Sequence, residues 1–243
     1  DAVVTVSDYE RQRIAERLPE VADRLSVVHN GLSEAFRPVT DAASQRAVRQ
    51  RYDLPERFLL FLGNTDPKKN VPNVLDGYVR YARMQQAEPA DPLPLVVADF
   101  SRERLTEHLH RLNAHDLADA VHLPGYIAHD DLPALYSQAA VFLYPSLRES
   151  FGLPILEAMA CGAPVVTSDA ASMPEVAGDA ACLVDPHDPD DLAVTLRRIL
   201  QHPEMQTGLR TRGLDRAARF SWTAAAERLL PLYHSVARTV LPV

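Results

Sequence analysis

Between Phe58 and Pro186 the sequence returns six times to a short apolar run: "FLLFLG" (58–63), "LPLVVAD" (93–99), "AVHLPG" (120–125), "AVFLYPS" (140–146), "PVVTS" (164–168) and "AACLVDP" (180–186). A continuous apolar run with no polar alternation is the mark of a strand covered on both faces. Most of the intervening segments are long enough to hold a helix. Parallel strands need such crossovers, whereas hairpins do not. The pattern predicts an α/β fold with a Rossmann-like, doubly wound parallel sheet.

The flanks carry the same signals. "AVVTV" (2–6) reads as a strand, the following helix is capped by Ser7 or Asp8, and "LSVVHNG" reads as a strand broken by Asn30-Gly31. Residues 33–56 form a Pro-bounded connector with one helix near 41–52. Caps are expected at Asn70, Ser101 and Asp130, and Asp188 with Pro189 opens a further helix. Ser221 caps a last helix with Trp222, Leu229, Leu230, Tyr233 and Val236 on one face, and Pro231 should kink it.

Chemistry concentrates in "RESFGLPILEAMACGAPVV" (148–166). Glu149 and Glu157 stand eight residues apart in a mostly apolar stretch, and acids are costly to bury without a partner. Pro154 is suited to opening a helix that Gly162 ends. Glu149 then lies in a strand-to-helix loop and Glu157 in the helix's first turn. Gly152 lets backbone approach a ligand closely, and the helix start offers free N–H groups to an anion. Carboxylates that accept from hydroxyls, beside amides that hold phosphate, suit a sugar nucleotide. The plainer alternative for Glu157 is a carboxylate complementing the helix dipole. The chain's only lysines, Lys68 and Lys69, are adjacent in "GNTDPKKNVPNVL", although Lys and Arg together number 25. Two readings stand for the pair: chance, or a phosphate contact.

The net charge of -8 argues against a nucleic-acid partner. Cys161 and Cys182 have no metal-ligand neighbours, so a reduced, cytoplasmic setting is expected rather than a disulfide scaffold. The histidines are scattered, and the acidic clusters 129–131 and 185–191 sit at helix starts, where capping accounts for them; no metal is expected. No signal peptide is apparent, and the opening "DAVVTVSD" reads as the middle of a protein.

"PSLRESFGLPILEAMACGAPVVTSDAASMPEVAGDAACLVDP" resembles the donor-binding region of retaining glycosyltransferases of the GT-B fold, family four (glycosyl transferases group 1). The likeness extends from "TVSDYERQRI" and "VVHNGLSEAF" to "RFSWTAAAERLLPLY". Glu149 and Glu157 match its E-x7-E motif. The resemblance implies that Glu149 binds donor-sugar hydroxyls and Glu157 the ribose. It places backbone around Phe151, Gly152 and Leu153 at the sugar and pyrophosphate, and Lys69 at the pyrophosphate as a catalytic charge. Gly63 matches the glycine that ends the first donor-domain strand. Tyr126 and Ile127, in "GYI", lie where the base is read.

Some positions depart from the family. Asn64 replaces a common arginine, so Lys68 is the candidate for the second charge. Asp99-Phe100 replaces a glycine, which leaves that loop's role open.

The implied division is 1–31 as the last βαβ unit of an N-terminal acceptor domain, 32–57 as linker, 58–220 as the nucleotide-sugar donor domain and 221–243 as a crossing helix. The implied activity is retaining transfer of a hexose from a nucleoside diphosphate sugar, GDP-mannose being favoured, to a glycan or lipid-linked acceptor, without a metal or other cofactor. The implied setting is cytoplasmic, at or near the inner membrane face. An isolated donor-binding half without turnover, and a nucleotide-sugar epimerase of the same fold, are the alternatives. The apolar face of the last helix is expected to seek a second copy or a partner half.

Overall fold

The computed structural model describes residues 2–63, 66–86 and 91–240. Val3–Thr5 (β1) and Leu25–Val27 (β2) pair in parallel, Val3 opposite Leu25, with Asp8–Arg17 (α1) as their crossover. Ser7 caps α1 by accepting from the Glu10 amide. Ala42–Arg51 (α2) lies within the expected helix and is capped by Asp41.

The main sheet follows, in the order Leu59–Leu62 (β3), Val71–Gln85 (α3), Leu95–Ala98 (β4), Arg102–Arg111 (α4), Val121–His122 (β5), Leu132–Gln138 (α5), Val141–Tyr144 (β6), Leu153–Ala160 (α6), Val165–Ser168 (β7), Met173–Ala177 (α7), Cys182–Val184 (β8), Pro189–Gln201 (α8), Pro203–Ala217 (α9) and Trp222–Val240 (α10). Among the described residues the six strands β3 to β8 form one parallel sheet ordered β5-β4-β3-β6-β7-β8. The winding reverses between β3 and β6, where Leu59 pairs with Val141 and Phe61 with Leu143. In a doubly wound sheet the crevice beyond the strand ends at this reversal is where ligands bind.

The pleat sorts side chains to two cores. Leu60, Val96, Phe142, Tyr144 and Val165 pack under α2, α5, α6 and α7. Leu59, Phe61, Val97, Val141, Leu143 and Val166 pack under α3, α4 and α8. Burial on both faces is why these strands read as unbroken apolar runs. No described helix is long and apolar enough to cross a membrane.

The segment after β2 meets the segment that leads into α10. The Leu32 amide donates to the Phe220 carbonyl at 2.9 Å, and Leu32 bridges Ser221. Gly31 fits only because it lacks a side chain: a Cβ there would stand 2.3 Å from the Trp222 nitrogen. Gly31→Ala is therefore expected to cost about 1–3 kcal/mol through overpacking. A urea midpoint equal to that of the wild type would show that the two segments part without penalty.

Several expectations need correction. Asn70 does precede α3, but in the left-handed region (φ 64°), and its side chain makes no cap. Its amide instead donates to the Pro145 and Pro186 carbonyls at 3.0 and 2.6 Å, tying α3 to the loops after β6 and β8. Asp130 does not cap α5. A 3₁₀ turn, His129–Asp131, intervenes, and Asp131 accepts from Arg51 and from the Tyr52 hydroxyl, both at 2.6 Å. Ser101, Asp188 and Ser221 act as caps, Asp188 accepting from the Asp190 amide. α10 runs through Pro231 as one helix. Its stripe is unevenly covered: Leu229 and Val236 are half-buried, while Trp222 and Tyr233 are 57% and 63% exposed.

Candidate active site

Lys69 ends a 3₁₀ turn, Pro67–Lys69, that follows β3, and Glu149 lies in the loop after β6. The two therefore approach from opposite sides of the reversal. Lys69 Nζ donates to Glu149 Oε1 at 2.7 Å and to the Tyr144 hydroxyl at 2.9 Å, and it sits 4.7 Å from the centre of the Tyr144 ring. The side chains of Lys69 and Glu149 are 15% and 13% exposed. Lys68 is more open, 3.4 Å from Asp66 and 3.9 Å from Glu149. The Lys68 carbonyl also accepts from the Leu147 amide at 2.8 Å, which fixes one loop against the other. Two ammonium groups thus converge on one carboxylate at the strand ends, an arrangement suited to a ligand with both phosphate and hydroxyl groups.

Glu157 is not in the first turn of α6. The helix begins at Leu153, with Gly152 before it at φ 102°, so Glu157 falls in the second turn. That removes the capping explanation, because dipole effects fade beyond the first turn. Glu157 is instead half-buried, and its Oε2 accepts from the Tyr136 hydroxyl at 3.1 Å. Burial pushes its carboxyl above the ordinary value of 4.5, while Tyr136 and the nearby His129 oppose the rise. Burial, and then the neighbouring carboxylates, push the Tyr136 and Tyr144 phenols upward, so both remain neutral donors. Cys161 is buried beside the same helix, and its thiol is pushed up to about 12, which leaves it no role as a nucleophile.

The other expected site residues divide. Gly63 is buried directly after β3, where a Cβ would stand 2.8 Å from the Phe61 ring. Gly152 and Leu153 lie at the start of α6, one residue earlier than Pro154 implied. Phe151 turns its ring inward, 5.7 Å from His29 and 5.9 Å from Phe220, and the residue is buried. Ile127 is part of the core, and Tyr126 is 75% exposed. Asn64 lies outside the described residues.

Sequence reasoning missed the residues that hold the acids. Tyr144 and Tyr136 sit in apolar runs and look like core. Ser172 donates to the carbonyls of Glu149 and Phe151, each at 2.9 Å, and nothing in its own neighbourhood marks it.

Residues 44–216 match the family described as Glycosyl transferases group 1. The chain is 31% identical over 230 residues to the serotype-specific mannosyltransferase WbdA of Escherichia coli, covering 93% of this chain and 28% of that protein. It is 34% identical over 233 residues to O-antigen chain mannosyltransferase B of Escherichia coli, covering 95% and 60%. It thus spans less than two thirds of either relative. The structure of Anabaena Alr3699/HepE in complex with UDP and glucose superposes with a TM-score of 0.80 at 19% identity, over 96% of this chain and 63% of that one, a likeness of fold. Since the family match runs through most of the doubly wound sheet and both acids of the site, the chain belongs to the glycosyl transferases group 1 and has a GT-B type of architecture.

Proposed function

We propose that this chain binds a nucleoside diphosphate sugar at the β3/β6 crevice and serves a retaining hexosyl transfer, with GDP-mannose as donor and a glycan or lipid-linked acceptor. The observation that carries the reading is the meeting of Lys69 with Glu149 at the reversal of the sheet, beside the half-buried Glu157. In this reading Glu157 accepts from the ribose, Glu149 accepts from the sugar, and Lys69 with Lys68 and the amides opening α6 holds the diphosphate. As the bond from the anomeric carbon to the diphosphate breaks, charge develops on the leaving phosphate oxygen. Lys69 stabilises that charge from a fixed position, with no reorganisation needed. The acceptor oxygen forms the new bond on the same face of the sugar and passes its proton to the departing diphosphate oxygen. The two lysines and the helix amides carry the compensating charge, so no metal is required. Mannosyl donors are favoured because both relatives above are named for mannosyl transfer.

The reading assigns residues 58–220 to the donor domain, 1–31 to the last βαβ unit of an acceptor domain, 32–57 to the linker and 221–243 to a crossing helix. The exposed face of α10 would then meet further acceptor-domain surface or a second copy.

The test is calorimetry with GDP-mannose and UDP-glucose, with and without a chelator, followed by a search for sugar transfer to lipid-linked and glycan acceptors. Binding of a nucleotide sugar that the chelator leaves unchanged is expected. Absence of binding to either donor would overturn the proposal.

A further inference from the structure

Glu175 is a carboxylate with several close partners and no place in the donor site. Glu175, on α7, accepts from the Asp8 and Tyr9 amides at 2.9 and 3.2 Å, and from His29 Nε2 at 2.7 Å. It therefore satisfies two of the orphan N–H groups that open α1 and places negative charge at the positive end of that helix. It also grips the end of β2 through His29. This side chain thus holds the β1–α1–β2 unit at two points, the start of α1 and His29 just past β2.

The same first turn of α1 reaches the loop that carries Glu149. Ser7 Oγ donates to the Ser150 carbonyl at 2.7 Å, Ser150 Oγ donates to Glu10 at 3.1 Å, and Arg148 lies 3.6 Å from Glu10. From the other side Ser172, at the head of α7, holds the carbonyls of Glu149 and Phe151. Arg216 anchors α7 from below by donating to the Glu175 and Val176 carbonyls. The loop 148–151 is thus clamped between α7 and α1, and Glu175 sets the distance between the two jaws.

We propose that Glu175 is a positioning residue for Glu149. It docks the β1–α1–β2 unit so that the first turn of α1 presses the loop into the geometry in which Glu149 meets the sugar. The inference rests on the donor reading above for its ligand, but its structural half stands apart from that reading.

The experiment compares wild type, Glu175→Ala and Glu175→Gln by calorimetry with GDP-mannose and with GDP, and by native-state hydrogen exchange. Glu175→Ala is expected to weaken GDP-mannose by about tenfold, the effect of losing one well-placed hydrogen bond to a charged group, and GDP by less than about twofold. Exchange at the amides of 148–152 should quicken while that of α3 and α8 stays unchanged. Glu175→Gln keeps one acceptor and should recover a large part of the lost affinity. In a Glu149→Ala background the Glu175→Ala effect on GDP-mannose should vanish.

Equal weakening of GDP and GDP-mannose, additive losses in the double variant, or unchanged exchange in the loop would each overturn the proposal. If the wild type binds neither ligand, the donor reading fails, and the exchange comparison alone decides the clamp.

Discussion

Lys69→Ala is expected to reduce affinity for a nucleoside diphosphate by on the order of a hundredfold, equivalent to about 2.7 kcal/mol, while affinity for the bare nucleoside stays within about twofold. The size follows from a charge-assisted bond in a site where lysine and its partner are nearly covered. The truncation has a second effect. It leaves Glu149 with Lys68, 3.9 Å away, as its remaining cation, and an acid with little solvent access and weakened charge pairing destabilises the fold. Lys69→Ala/Glu149→Gln should therefore regain stability without regaining affinity. Calorimetry and urea unfolding on the three proteins separate the two roles. Equal losses for nucleoside and diphosphate would remove Lys69 from the phosphate.

Glu157→Ala is expected to weaken nucleotide binding by roughly tenfold to a hundredfold, the range for a carboxylate that accepts from ribose hydroxyls. Its raised pKa adds a pH signature. Ribose donors favour the charged form, so binding lowers that pKa and releases protons. Affinity should rise with pH until the free-state value has been passed, and fall below it. Stability runs the other way. The native carboxyl holds its proton to higher pH than the unfolded chain does, so its contribution is fully present below the unfolded value and is lost as pH rises through the folded one. Glu157→Gln retains an acceptor for Tyr136 and should abolish both trends. Calorimetry between pH 5 and 8 in buffers of different ionisation heat measures the proton release, and a flat profile in the wild type would place Glu157 away from the ligand.

The sheet was readable because its physics is local in sequence. Apolar runs such as 58–63 and 140–146 are short and unbroken, and the intervals between them leave room for crossovers. The pairing of Lys69 with Glu149 had no such signal, because the two lie 80 residues apart and meet only where β3 and β6 become neighbours. Errors arose where the decisive partner is remote. Asn70 looks like a cap until the carbonyls of Pro145 and Pro186 appear beside it. Asp131 is spent on Arg51 and Tyr52, about eighty residues away, and no local pattern reveals that. Glu157 falls in the second turn rather than the first because the helix starts at Leu153, one residue before Pro154. The five-residue α7, which carries Glu175, is too short to show a helical period, so an element central to the site had no signal in the sequence.

The strand order has a further consequence for how the chain avoids its own copies. A wholly parallel sheet assembles through long-range pairings and leaves unpaired borders exposed while it forms, which invites edge-to-edge aggregation. Here the native borders are β5, two residues long, and β8, three residues long. Such short edges offer few free N–H and C=O groups to template an added strand. The strands most able to recruit a foreign neighbour, the fully apolar β3 and β6, lie side by side at the centre, each paired on both flanks. The same central placement that creates the crevice for a ligand therefore withholds the stickiest backbone from intermolecular pairing.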